Sequence, residues 1–336
     1  MKAWQVRPGH GIAGLQQIDT DAREPGPTEV LVSMRAASLN YRDWMAARGD
    51  YPGIDGTPRV PLSDGAGEVV AVGSHVTRFK LGDRVINTYF PNWIDGEISH
   101  GKIAESPGAT FDGVLAEQFV ADESTLATIP AHLSFEEAAS TPTVFVTVDA
   151  ALRGAAGVVR GERVLVHAAA GGVGLAAVQL LGALGARVVA TAGGPSKRAL
   201  LHGAGVQRVL SSRDSWFASE AAACCGGVDV VLNSLTSAGM VCGSLAALRR
   251  GGRFVEISKR DIWSPARMAQ PLLWAAIVDA LRSARARGAV GGSLAVADNL
   301  SAWLQREGPQ VSEAKARAAA EGPSLAGVRE WQDYAA

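Results

Sequence analysis

Residues 165–198, LVHAAAGGVGLAAVQLLGALGARVVATAGGPSKR, limit what this chain can fold into more than any other stretch. An apolar run predicts a strand over Arg163–Ala169. Small residues interrupt it, and an apolar helix over Val173–Leu184 follows at once. A second strand is expected over Ala186–Ala192. Strands alternating with helices in this way build a parallel sheet.

Ala169, Gly171 and Gly174 stand in the spacing A-x-G-x-x-G, with Gly172 and Val173 between the two glycines. A small first residue permits a tight turn. Gly171 lets the backbone approach a pyrophosphate, and Gly174 lets the helix pack closely on the strand. The helix N-terminus then offers free N–H groups and the positive end of its dipole to phosphates. A strand before and a helix after separate this pattern from a chance match; the competing reading is a purely structural turn.

The end of the second strand selects the dinucleotide. An acid there would bond the ribose 2′-hydroxyl of NAD. This chain has Ala192, two glycines, then Ser196, Lys197 and Arg198. A hydroxyl and two cations suit a 2′-phosphate, so NADPH is the expected cofactor. The competing reading of Lys197 and Arg198 is a solvated helix start.

The alternation continues on both sides of this unit. Further strands are expected over Arg208–Leu210, Val228–Leu235 and Arg253–Ile257, with helices over Ser196–Gly203 and Ser237–Leu248. That order predicts a doubly wound parallel sheet. Ser134, with Glu137 three residues on, is a capping-box signature for the helical stretch that precedes it. The first 130 residues read differently. Short apolar runs such as EVLVSMRAASL and GAGEVVAVGS alternate with Gly, Pro and Asp turns, which predicts a barrel-like sheet. Residues 91–110 are polar and unpatterned, a surface loop in which Trp93 either roofs a site or covers the barrel. Beyond residue 285 the chain is rich in Ala, Arg and Gly, with Asn299–Gln305 the best helix candidate.

Composition bounds the function. With 336 residues, 47% hydrophobic, two cores are expected. A net charge of −1 leaves no basic excess for nucleic acid or an anionic membrane. No uninterrupted apolar stretch is long enough to span a bilayer. Cys224, Cys225 and Cys242 lack a ligand spacing, and their odd number without a leader pattern points to reduced thiols in the cytoplasm. Cys224-Cys225 is read as a loop pair without function.

Longer motifs carry a family resemblance. SLNYRDWMAARGDYP, VPLSDGAGEVVAVGSHVTRFKLGDRV and GVLAEQFV resemble quinone oxidoreductases and zinc-type alcohol dehydrogenase-like proteins. EAASTPTVFVTVDAAL, RVLVHAAAGGVGLAAVQL, VDVVLNSL and RRGGRFVEISKRDI resemble enoyl reductases of polyketide synthases. Together they resemble the zinc-independent branch of the medium-chain dehydrogenase/reductase superfamily. The resemblance implies an α/β protein of two domains. A GroES-like β-barrel catalytic domain would span 1–130 and a Rossmann doubly wound parallel-sheet domain 131–265, with the cofactor cleft between them. A partly helical, divergent C-terminal segment would take 266–336. The family usually returns to the catalytic domain through a strand of the form GKVVL, and this sequence has none. Relatives often dimerise through the edge of the Rossmann sheet, so a homodimer fits the pattern.

Zinc-dependent relatives carry a Cys near the position of Asn40 and a His-Glu pair near Ser63-Asp64; neither is present here. The six histidines show no paired ligand spacing, so no metal is expected. Without a Lewis acid to hold an alkoxide, reduction of a conjugated C=C is the easier reaction. By the resemblance, Tyr51 of the GxYP pattern influences α-carbon protonation. Asn40 and Tyr41 line the nicotinamide side, and Thr147 faces the cofactor. Asn233 and Ser234 end the fourth strand, where ligands bind in open sheets. Lys259 of SKRDI matches a candidate proton donor, with Asp279 the nearest acidic partner in sequence. Each has a plainer reading as packing, capping or surface charge.

Three functions therefore stay open. One is NADPH-dependent reduction of a quinone or an acyl-thioester enoyl substrate. The others are zinc-free carbonyl reduction and cofactor binding without catalysis.

Overall fold

The first strands, β1 (Lys2–Val6) and β2 (Leu15–Asp19), form an antiparallel ribbon. Five further strands follow: β3 (Glu29–Ser38), β4 (Asp64–Val72), β5 (Arg84–Asn87), β6 (Gln118–Asp122) and β7 (Leu126–Thr128). They pair antiparallel in the order β6-β3-β4-β5-β7. Alternation in β3 turns Val30 and Val32 inward, where they meet Val69, Phe79, Val85, Ala121 and Leu126. Register shifts at Leu31/Val32 and Met34/Ala36 interrupt the β3–β4 ladder, and such irregularities bend a sheet. These residues belong to a computed structural model that describes 1–258 and Trp263, apart from 52, 97, 98, 214 and 237–239.

Helix α1 (Tyr41–Arg48) fills the connection between β3 and β4, and α2 (His100–Ile103) lies in the segment after β5. The capping box holds at α3 (Phe135–Ala139): Glu137 N–H donates to Ser134 Oγ at 3.1 Å and Ser134 N–H to Glu137 Oε2 at 2.8 Å. The helical stretch divides there, because Pro142 can open a helix but cannot continue one. It begins α4 (Pro142–Val148), which passes into a wider π-helical turn over Asp149–Ala155. Two compact units are divided after Asp149.

The second unit alternates strand and helix throughout: β8 (Arg163–Val166), α5 (Gly172–Leu184), β9 (Arg187–Ala192), α6 (Pro195–Gly203), β10 (Arg208–Ser211), α7 (Trp216–Cys225), β11 (Val228–Asn233), α8 (Met240–Ala247) and β12 (Leu248–Glu256). The sheet is parallel, in the order β10-β9-β8-β11-β12. Val164, Leu165 and Val166 are buried, as is all of β11, the continuous apolar run expected of strands covered on both faces. Strand order reverses between β8 and β11, the place where such sheets bind ligands.

Several boundaries differ from the sequence expectation. β8 stops at Val166, because residues 167–170 already turn and Ala168 takes φ +48°. β12 starts at Leu248, five residues early, with its pairing to β11 shifted between Val228 and Val230. Cys224-Cys225 closes α7 and is not a loop. The loop at 91–110 is only partly a surface loop, since Ser106, Pro107, Gly108 and Ala109 are buried. Lys259, Asp279 and Asn299–Gln305 lie outside the described residues.

Candidate functional site

The glycine turn is built by contact between backbones. Ala169 is fully buried, and a Cβ on Gly174 would stand 2.4 Å from its Cα and 2.6 Å from its carbonyl oxygen. Helix and turn therefore approach more closely than any side chain allows. Gly171 is the extended N-cap of α5 and is exposed with Gly172, while Val173 is half-buried. The N–H groups of the first turn have no acceptor within the helix. The left-handed conformation of Ala168, costly for an L-residue, places strain at this turn.

At the end of β9, Ala192 is buried while Ser196 and Lys197 are exposed on the first turn of α6. Arg198 reaches back to the Ala192 carbonyl at 3.5 Å. A third cation joins them that sequence reasoning missed. Arg213, just beyond β10, donates from Nε to the Gly193 carbonyl at 2.9 Å. A Cβ on Gly193 would meet its guanidinium at 2.8 Å, so glycine is what lets the arginine lie across the turn. The sequence signal is the cation after the third strand of the parallel sheet.

At the end of β11, the Asn233 side chain is fully buried and donates to the Glu256 carboxylate at 2.6 Å and the Leu235 carbonyl at 3.2 Å. It serves its neighbours and is closed to solvent. The Ser234 hydroxyl beside it is buried with no hydrogen-bond partner among the described residues. Burial raises Glu256 above the usual carboxylate range.

The first unit holds a buried polar cluster. Asp64 opens β4 with no exposure at all, following Leu62 in a left-handed conformation, φ +74°. Its carboxylate accepts from Asn40 Nδ2 at 2.9 Å, Thr143 N–H at 3.1 Å, Thr143 Oγ1 at 2.5 Å and Ser63 Oγ at 3.1 Å. Asn40 thus turns its amide into the barrel, while Tyr41 beside it is exposed against Trp44. Thr143, one helical turn before Thr147, supplies the hydroxyl that meets Asp64; both threonines are half-buried. Asn87 braces the same corner, donating to the Ser63 carbonyl at 2.7 Å and accepting from Gly65 N–H at 2.9 Å.

A second cluster surrounds Tyr51. Its hydroxyl lies 3.1 Å from that of Tyr89, and the Arg42 guanidinium stands 4.9 Å and 5.0 Å from the two ring centroids. Arg42 is buried and donates to the Pro107 carbonyl and to Ser106 Oγ, which explains why that part of the loop is covered. Burial pushes the Tyr89 phenol well above its ordinary value, so it stays protonated. Trp93 donates to the Gly96 carbonyl within its own loop.

Asp43, 3.5 Å from Arg42, is pushed up to about 6 by burial, against the lowering effect of that cation. The sign follows from linkage. The folded state binds this proton more tightly than the unfolded chain, so the contribution is full below the ordinary carboxylate value and is lost as pH rises through about 6. Asp43→Asn should remove about 1–3 kcal/mol of this dependence, on the scale set by one to two pKa units. Urea unfolding at a series of pH values reads it; parallel stability profiles for the two proteins would refute the shift.

Comparisons with known proteins agree with this architecture. Residues 26–131 match the family model of the alcohol dehydrogenase GroES-like domain, and residues 172–305 that of zinc-binding dehydrogenases. Pikromycin polyketide synthase component PikAII of Streptomyces venezuelae is 39% identical over 277 residues, covering 79% of this chain and 7% of that protein. The chain spans only about a tenth of the curated relatives it matches, 12% for a mycocerosic acid synthase-like polyketide synthase of Mycobacterium tuberculosis. Among solved structures, CurK enoyl reductase superposes with a TM-score of 0.69 at 32% identity, covering 80% of this chain and 77% of that one. A quinone oxidoreductase of Pseudomonas syringae gives 0.67 at 30%, covering 80% and 78%. With a curled antiparallel sheet, a parallel sheet entered through an A-x-G-x-x-G turn, and these relatives, the chain belongs to the medium-chain dehydrogenase/reductase superfamily of nicotinamide-dependent oxidoreductases.

Proposed function

We propose that this chain is an NADPH-dependent reductase of the C=C bond in an α,β-unsaturated carbonyl, a quinone or an enoyl thioester, acting without zinc. In this reading residues 1–130 form the catalytic domain and 131–265 the cofactor domain. The observation that carries the zinc-free chemistry is the donor set around Asp64. Both its oxygens already accept from neutral groups, and Asn40 and Ser63 occupy positions where a ligand would be thiolate or imidazole. Among the described residues no three His, Cys, Asp or Glu side chains converge. These residues do not fit a catalytic zinc.

The glycine turn does fit a dinucleotide. Gly171, Gly172 and Val173 would face the pyrophosphate with backbone N–H groups, and Gly174 on Ala169 keeps that approach open. Ser196, Lys197, Arg198 and Arg213 would hold a 2′-phosphate beside Ala192. Asn40, Tyr41, Thr147 and Ser234 are the proposed contacts of the nicotinamide end, and Asn233 supports the end of its own strand through Glu256. When bound, the nicotinamide supplies the hydride that adds to the β-carbon of the substrate. The enolate left behind needs hydrogen-bond donors at its oxygen and one proton at the α-carbon. Tyr51, whose hydroxyl is held by Tyr89, and Lys259 with Asp279 are the proposed donors of that proton.

The test is NADPH oxidation with crotonyl thioester and with a quinone, run beside a zinc determination. Turnover of either acceptor by zinc-free protein is expected. Tight NADPH binding without turnover of any enone, quinone or aldehyde would overturn the catalytic reading. Arg213→Ala should weaken NADPH about tenfold and leave NADH unchanged, the scale of one charge-assisted hydrogen bond. Equal loss for both cofactors would remove Arg213 from the phosphate site.

A further inference from the structure

A line of buried side chains crosses the carboxyl ends of four parallel strands in the second unit. Thr191 on β9, His167 just past β8, Ser244 on α8 and Asn233 ending β11 are all buried. Thr191 Oγ1 lies 2.9 Å from His167 Nδ1, and Ser244 Oγ lies 2.8 Å from Nε2. Ser244 Oγ also approaches Asn233 Oδ1 at 3.4 Å, and Asn233 Nδ2 donates to Glu256 at the end of β12.

Counting protons gives the line a direction. Ser244 has one hydroxyl proton, and the Met240 carbonyl lies 2.7 Å from its Oγ. Given to that carbonyl, the proton leaves Oγ as an acceptor toward the imidazole. Nε2 must then carry the hydrogen, and Nδ1 accepts from the Thr191 hydroxyl. A neutral ring is what burial favours, since it holds His167 down at about 4.

The position of the His167–Ser244 bond matters. It spans β8 and the element that follows β11, the place where strand order reverses. A dinucleotide laid across a reversal has one half on each side of it. We propose that His167 is a positioning residue that locks the two halves of the cofactor site to one another, through Thr191 of β9 on one side and Ser244 of α8 on the other. This rests on the reading that a nicotinamide dinucleotide binds at this sheet. His167 itself touches no cofactor; it fixes the spacing that a two-headed ligand must match.

The experiment compares the whole cofactor with half of it. Thr191→Val keeps the volume and deletes the donor to Nδ1, and Ser244→Ala deletes the acceptor of Nε2–H. Each variant should weaken NADPH about tenfold, the scale of one buried partner removed. Affinity for 2′,5′-ADP, which fills only the β9 side, should change less than about twofold, within the scatter of an unperturbed site. A merely structural role would weaken both ligands together, and that result, or no change in either, would overturn the proposal. If wild-type protein binds neither ligand, the proposed function fails first and is recognised by that. Should both variants fail to fold, the 15N shifts of His167 in unaltered protein still decide. Neutral imidazole with hydrogen on Nε2 is expected at neutral pH, and a charged ring or hydrogen on Nδ1 would overturn it.

Discussion

Gly174→Ala is expected to cost about 3 kcal/mol or more of folding stability, at the top of the range for overpacking, and to abolish measurable NADPH binding. The added Cβ would meet the backbone of Ala169 at 2.4 Å to Cα and 2.6 Å to the carbonyl carbon. Backbone of a buried turn, tied by the Ala169 N–H to the Thr191 carbonyl at 3.0 Å, cannot swing aside as a flexible side chain can, so α5 must tilt away from it. That tilt carries the first-turn N–H groups away from the place proposed for the pyrophosphate. Gly182→Ala is the matched control. It lies in the same helix with nothing within 4 Å of its Cβ position, and should stabilise by about 0.5–1 kcal/mol. Thermal unfolding of the two variants, with cofactor titration by fluorescence, reads both effects. A Gly174→Ala protein as stable as wild type would mean that the turn is looser than the structure has it.

The second large effect is expected at Asp64. Asp64→Ala strips the acceptor from Asn40 Nδ2, the Thr143 N–H and hydroxyl, and the Ser63 hydroxyl at once. One buried unpaired donor costs about 1–3 kcal/mol, and four sharing one site should together cost on the order of 4 kcal/mol. Asp64→Asn should be intermediate, because it keeps one acceptor oxygen and turns the other toward donors as an N–H. Thr143→Val should cost less than Asp64→Ala, because it removes one donor and keeps the acceptor. Urea unfolding orders the three variants. An Asp64→Ala loss below about 1 kcal/mol, no more than a solvated pair contributes, would mean that water already shares this site.

How much of this was legible beforehand follows from distance along the chain. The strand–glycine–helix unit was readable because its physics is local. A tight turn, a close approach and a helix start all lie within residues 165–184. Alternation then carried the parallel sheet, and turn chemistry the antiparallel one. Boundaries failed at a proline inside one run and where strand pairing intervened. Pro142 split one expected helix into two, and a register shift drew β12 back to Leu248. α7 was expected before Cys224-Cys225 but without bounds, because its run of alanine and cysteine has no strong apolar face.

The polar clusters were only half legible. Asn40, Tyr51, Asn233 and Ser234 stood out by motif, but their partners did not. Asp64 and Thr143 are 79 residues apart, Tyr51 and Tyr89 are 38 apart, and Gly193 and Arg213 are 20 apart. No periodicity announces such pairs. His167 looked like one more strand residue, and nothing local said that both its nitrogens would be bonded, one to β9 and one to α8.

The sequence by itself therefore determined the class of fold, the glycine turn between β8 and α5, and the residue types at Asn40, Ser63 and Asp64. Each follows from neighbours in the chain, where steric fit and hydrogen bonding act over a few residues. Only the tertiary structure decided which polar groups are consumed by one another. Asp64 is closed by four donors, Asn233 by Glu256 and Arg42 by the covered end of its loop. Burial makes those choices, because a polar group shut away from water must take whatever partner the fold brings within 3 Å or so.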